Sequence, residues 1–240
     1  MSVESQAEAS RHAENPLWNL LFNIVVPVFV LHKGTKWVGP APALALALFF
    51  PLSFGTLDLW RKKKVNFFSL LGLLNVSVTG GLALSGLGGI WFCFKEAAFP
   101  LFIGFFVAGS AWTDRPFIQT LIVNPQTMHW DMVDAKLKET GKEAEFMRLL
   151  QRATWLLSGS FLFSAITNFI LARGIFLPLD DNLGQVEKAA VLNDQIAHMT
   201  SMAFAVTFLP SLVILAGILY YLLRGMSQAT GMKLEEILKS

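Results

Sequence analysis

The sequence predicts an all-α fold, a polytopic transmembrane bundle of about six helices arranged as three hairpins. Three observations carry this. Of 240 residues, 54% are hydrophobic and only 15% charged, where a soluble domain carries about 25% charged residues; mean hydropathy is +0.53. Several uncharged runs approach the ~20 residues needed to cross about 30 Å of hydrocarbon. The basic residues fall mainly at alternate ends of those runs.

Residues 1–16 mix acids with Arg11 and His12 and lack an apolar core. They are no secretory signal peptide and read as a cytoplasmic tail. The transmembrane part begins at Leu17, and residues 17–116 supply four helices. Leu17 to His32 is uncharged, although Asn19 and Asn23 interrupt it, and Pro40 to Leu57 ends at Asp58. No charge occurs from Val65 to Phe94. That run is too long for one crossing, and Gly80, Gly81, Gly86, Gly88 and Gly89 offer the break. The third helix is therefore placed at about Asn66 to Leu84, and the fourth at Ile90 to Trp112.

Residues 117–151 form a charged connector with an Asn124-Pro125 turn near its start. Thr127 is placed to cap a short helix containing Trp130, Val133 and Leu137, and Gly141 interrupts it before a second helix carrying Phe146, Leu149 and Leu150. The plain reading is an amphipathic segment on the headgroups, charges to water and aromatics to lipid. A docking site for a soluble partner is the sharper alternative. Residues 152–224 hold the fifth helix, Ala153 to Ala172, and the sixth, Met199 to Leu223, with Arg224 as its stop. Between them Pro178 to Asn193 reads as an exposed acidic loop, and residues 225–240 as a second cytoplasmic tail.

Orientation follows because Lys and Arg accumulate on the cytoplasmic side. With the N-terminus inside, fourteen of the nineteen basic residues are cytoplasmic, including Arg61 to Lys64, Arg115, Arg148, Arg152 and Arg224; Lys33, Lys36, Lys95, Arg173 and Lys188 are outside. Both termini are then cytoplasmic, in a bacterial-type inner membrane. Each hairpin carries an Asn in its outgoing helix, at Asn23, Asn75 and Asn168, which leaves an internal duplication open, but the surrounding sequences do not align convincingly enough to show one.

Polar groups at membrane depth are costly unless paired or hydrated, which makes them the first functional suspects. Lys95 and Glu96 lie about 8 Å into the fourth helix at ~1.5 Å per residue. They read either as a charged gate at the mouth of a cavity or as side chains snorkelling to the headgroups. Asn19, Asn23, Asn75 and Asn168 either bond between helices, the commoner fate of buried amides, or line a solute path. Pro27, Pro51, Pro100 and Pro210 each remove a backbone hydrogen bond within a span. Gly72, Gly80, Gly81, Gly104, Ala108 and Gly109 permit close helix packing. Asp194 and His198 share one helix face, but two ligands make no metal site, and Asp194 or Asn193 serves equally as an N-cap.

Cys93 is the only cysteine, so the chain has no intrachain disulfide; between Phe92 and Phe94 it reads as a packing residue. No paired-His zinc motif, phosphate-cradling loop or nucleophile elbow occurs, which leaves an enzymatic reading unsupported. Neither a metal nor an organic cofactor is expected. The net charge of +2 is too mild to argue for nucleic acid.

In LDLWRKKKVNFFSLLGL at 57–73, the Gly80-Gly81 pair, WFCFKEAAFPLFIG at 91–104, DRPFIQTLI at 114–122 and TWLLSGSFLFSAITNFILA at 154–172, the chain resembles the intracellular septation protein A family, as one of its larger bacterial relatives. The resemblance runs from about Leu17 to Met226 and singles out Lys64, Lys95, Arg115, Pro116 and Asn168. It implies an inner-membrane protein linked to cell-envelope synthesis, septation and membrane integrity, and implies no known reaction. Beside the lipid bilayer, the partners expected are envelope or division proteins and further copies of the chain. The charged connector and the extended ends depart from compact members. Two functional expectations follow: a non-enzymatic scaffold whose inside surface contacts partners, or a small-solute or ion transporter whose path is lined by Lys95, Glu96 and the asparagines.

Overall fold

The structure, a computed structural model, describes residues 24–62, 67–123 and 128–238. Asn19, Asn23, Lys64, Asn66, the Asn124-Pro125 turn, Thr127 and the first sixteen residues lie outside the described residues. Among the described ones the fold is helical, with one isolated bridge between Met128 and Leu238.

The first helix, α1, comprises Val26–Phe29, a π segment Val30–Gly34, and Thr35–Val38. It is followed by α2 (Pro40–Lys62), α3 (Phe67–Leu84), α4 (Ile90–Ser110), α5 (Phe117–Ile122), α6 (Trp130–Thr140), α7 (Glu143–Ile175), α8 (Gln185–Thr230) and α9 (Leu234–Ile237). Three of these, α4, α7 and α8, are long and apolar enough to cross a membrane; α2 and α3 contain shorter apolar stretches, Pro40–Ser53 and Leu70–Leu84. Their outer faces are apolar too. Phe102, Phe105, Ile170 and Val213 are each exposed by about two thirds of their surface or more, an inside-out pattern expected when the solvent is lipid.

The turns follow from residue chemistry. Gly86 (φ 68) and Gly89 (φ 57) adopt left-handed backbone between α3 and α4, and the amides of Gly86 and Leu87 donate to the carbonyls of Ala83 and Leu82 at 3.1 and 3.0 Å. This closure satisfies carbonyls that a helix end otherwise orphans. The expected glycine break is therefore present. Gly141 (φ 64) ends α6 in the same way, with Lys142 donating to the Leu137 carbonyl at 3.0 Å. Between α4 and α5 the turn is held by Ser110, whose hydroxyl accepts from the Phe117 amide at 2.9 Å and donates to the Val107 carbonyl at 2.6 Å.

The chain forms two compact units, residues 1–95 with 169–204, and 96–168 with 205–240. The first has a core of Leu31, Leu44, Ala47, Phe92, Phe176, Leu192, Ile196 and Met199. Phe92 stacks on Phe176 there at 4.5 Å between ring centroids, and Cys93 is buried in the same core, a packing role as read from sequence. The second core joins Val107, Ile118, Val133, Leu137, Phe146, Leu150, Leu222, Met226 and Ile237.

Four expectations change. The fifth helix does not start at Ala153: α7 runs 33 residues from Glu143, about 50 Å at ~1.5 Å per residue, so the second connector helix is its charged extension. The connector's apolar face does not look toward lipid. Val133, Leu137, Phe146 and Leu150 are buried against Met226, Ala229 and Ile237 of the same chain. The sixth helix starts fourteen residues early, at Gln185 with Gly184 as N-cap, so most of the expected acidic loop is helix, and Asn193 and Asp194 are interior positions rather than caps. Finally, the closing tail is structured to Leu238. Gly231 (φ 72) turns the chain after Thr230, and the His129 amide donates to the Ile237 carbonyl at 2.9 Å, which ties the C-terminal segment to the start of α6.

Candidate functional site

The polar candidates divide between the two units. Asn75 and Lys95 belong to the first, Glu96 and Asn168 to the second. Lys95 is only 8% exposed. With so little exposed surface Lys95 is packed within the protein. Asn75 sits on α3 with a buried Oδ1 that has no hydrogen-bond partner among the described residues, while its backbone carbonyl accepts from Thr79 at 2.9 Å. In the second unit Asn168 is fully used. Its Oδ1 accepts from the Thr207 hydroxyl at 2.7 Å, and its Nδ2 donates to the Glu96 carbonyl at 3.4 Å. One amide thus ties α7 to α8 and α4. A second polar tie lies nearby, where the Ser164 and Ser211 hydroxyls meet at 3.0 Å. Interhelical bonding of this kind is the common fate of a buried amide.

Thr207 occupies a π segment, Phe204–Phe208. The cause lies just beyond it. Pro210 has no N–H and its ring crowds the carbonyl four residues back, so the helix widens by one residue on its N-terminal side. A lost backbone bond thereby becomes a side-chain contact. The other π segment, Val30–Gly34, carries His32, whose Nδ1 lies 2.7 Å from Asp194 Oδ1.

That pair departs from the sequence reading of an Asp194–His198 pair. Asp194 reaches across to α1, while His198 lines the same groove together with Val28, Phe29, Lys33 and Ser201, a cavity of about 680 Å³. Beside it Asn193, only 2% exposed, donates to Thr35 Oγ1 at 3.1 Å and to the Pro40 carbonyl at 2.8 Å. Asn193 and Asp194 are thus two consecutive latches between α8 and the first hairpin. The sequence signal for Asn193 is its position next to Asp194 in an otherwise apolar turn, a signal that a helix cap explains equally well. Among the described residues no three His, Cys, Asp or Glu side chains gather as a metal site.

Of the remaining family-motif positions, Arg115 is exposed, and Pro116 is buried at the N-cap of α5, whose φ of −54° suits a helix start. Of the glycines expected at close contacts, Gly80 faces Leu48 and Gly104 faces the backbone of α7, where a Cβ would lie 3.1 Å from Phe161 Cβ; the Ser158 hydroxyl donates to the Gly104 carbonyl at 3.0 Å. Among the described residues nothing lies within 4 Å of a Cβ at Gly72, Gly81 or Gly109.

At the end of the second unit, α6, the first turns of α7, the last turns of α8 and α9 make a folded platform. Its buried side is apolar, and its outer side carries Lys136 paired with Glu139, and Lys138 paired with Asp134, each at 2.7 Å. The hydrogen bond and charge of Asp134 raise the Lys138 ammonium above its ordinary pKa. No family model matches this chain, and neither the curated proteins nor the solved structures contain a match.

Proposed function

We propose that the chain is a non-enzymatic inner-membrane scaffold with both termini inside, acting in cell-envelope synthesis and septation through its cytoplasmic platform. One observation supports this above others: the connector is a packed structure. Val133 and Leu150 have no exposed surface, so α6 is held by the bundle and presents a fixed, charged outer face. A helix merely floating on headgroups would leave that apolar stripe to lipid. The six spans in three hairpins belong to this proposal. So do the contacts with envelope or division proteins and with further copies of the chain.

The test is where the full chain goes. A functional fluorescent fusion should concentrate at division sites, and reversing the outer charges of α6 (D131K, D134K, K136E, K138E) should leave it in the membrane but spread evenly. A wild-type fusion with no enrichment at the septum contradicts the reading.

Lys95 and the unpartnered Oδ1 of Asn75 favour a second reading, a small-solute or ion path through the membrane. A buried acceptor without a donor is expensive in an apolar surrounding, and a buried lysine at membrane depth is a default functional suspect. Reconstituted protein would then pass ions or small solutes, and K95Q would abolish the flux; tight vesicles containing folded protein would end this reading.

A further inference from the structure

A cleft of about 840 Å³ opens between the first turns of α7 and the last turns of α8, within the second unit. Its walls carry Lys142, Arg148 and Arg152 from one side and Arg224 from the other, with Tyr221 and Gln228 between; Glu145 is the one acid. Arg148 and Arg152 are one helical turn apart, a spacing at which like charges repel. Among the described residues none of the three guanidinium groups has an ion pair. Lys142 is turned to the Gln228 carbonyl at 3.4 Å. The surface pairs of α6 show that acids are at hand elsewhere on the platform, yet the cleft collects cations and leaves them unneutralised.

Its position is as informative as its charge. Arg152 is the last charge before the uncharged run 153–172, and Arg224 is the first after the uncharged run 199–223. With α7 and α8 read as spans, both apolar runs end at this cleft, which is then at headgroup level. Leu149, Phe146 and Ala144 line the same space, so a cationic cleft has an apolar wall. Planar guanidinium groups match phosphate oxygens in forked pairs, and basic pockets between spans on the cytoplasmic side suit anionic headgroups.

We propose that this cleft binds a phosphate-bearing anion, supplied as the headgroup of an anionic phospholipid. The inference rests on the membrane reading of α7 and α8 but not on the scaffold role or on which side the cleft faces.

The test uses the purified full chain in neutral detergent micelles, following the thermal midpoint by tryptophan fluorescence during titration with phosphatidylglycerol, phosphatidylcholine or inorganic phosphate. Phosphatidylglycerol should raise the midpoint saturably, and the other two should not at equal concentration. R148Q/R152Q/R224Q should weaken the apparent Kd by about tenfold or more, the loss of one charge-assisted hydrogen bond at the least. Q228W, which fills the cleft without changing its charge, should weaken it as well. The control K136Q/K138Q/K233Q removes as many charges outside the cleft and should leave the Kd within about twofold, since exposed charges contribute little each. Equal loss in the control, equal binding of phosphatidylcholine, or unchanged affinity in both cleft variants overturns the proposal. Displacement of the lipid by inorganic phosphate at matched concentration overturns the lipid source and leaves a free-anion site. Micelles carry no sidedness and no septum, so failure here and failure of the localisation test are separate results.

Discussion

Asn168 illustrates how a single polar side chain is resolved in an apolar helix. Its two ends bond to different helices, and the Thr207 end depends on a π segment that Pro210 makes necessary. A double-mutant cycle of N168A and T207V should return a coupling of about 0.6 kcal/mol, rising to ~1.7 if the site is dry; a coupling of zero in detergent unfolding would mean the bond is not made. Asn193 is the firmer case. With 2% exposure and two acceptors, N193A should lower unfolding stability by about 1–3 kcal/mol, because it removes both buried hydrogen bonds at once. The Lys138–Asp134 pair is the contrasting surface case. A raised lysine pKa contributes stability that is fully present below the ordinary lysine pKa and lost as pH rises through the raised value. The pair is therefore intact at neutral pH, where D134N should lower stability slightly, as befits an exposed pair, and the difference from wild type should vanish once pH has risen through the raised lysine value. Neither latch was legible in the sequence. An asparagine announces that a partner is needed but not which helix provides it, and at Asn193 the cap preference of the residue type pointed to a helix start nine residues too late.

At the scale of elements, the clearest difference lies in where helices end. The boundaries of α3 and α4 were readable because glycines with positive φ stand at the turn, and no other residue type adopts that backbone as readily. The boundaries of α7 and α8 were not. Hydropathy marks where a helix leaves hydrocarbon, whereas the helix itself continues until its hydrogen bonds are capped, so Arg152 and Arg224 end uncharged runs within longer helices. The 46 residues of α8 extend to about 69 Å at ~1.5 Å per residue, roughly twice the hydrocarbon thickness of ~30 Å. Its ends are therefore free to build the latch at Asn193 and the platform at Met226. The connector was legible in its pattern: Val133 and Leu137 do form the buried stripe of α6. The sequence could not say what covers them. Because the platform is packed, L137A should cost about 2–5 kcal/mol and expose residues 128–142 to protease, while M132A on the exposed side should leave digestion unchanged. Truncation after Gly231 should have the same effect as L137A, since it removes Ile237 from the core and the carbonyl that holds His129.

For the whole molecule the decisive quantity is sidedness. Charge asymmetry argues for an inside platform and an outside turn at residues 176–184, and three helices are long and apolar enough to cross a membrane. Composition, exposed aromatic surface and uncharged runs all point to lipid as solvent. The described residues include a single buried cysteine, Cys93, so a thiol placed elsewhere reports its own location with little background. K136C and N182C stand on either side of α7, at exposed positions. Labelling with a membrane-impermeant maleimide, first in intact spheroplasts and then in inverted vesicles, tests the account most directly. It predicts that N182C reacts only in spheroplasts and K136C only in inverted vesicles; reaction of both from the same side would contradict it, because α7 would then not cross the membrane.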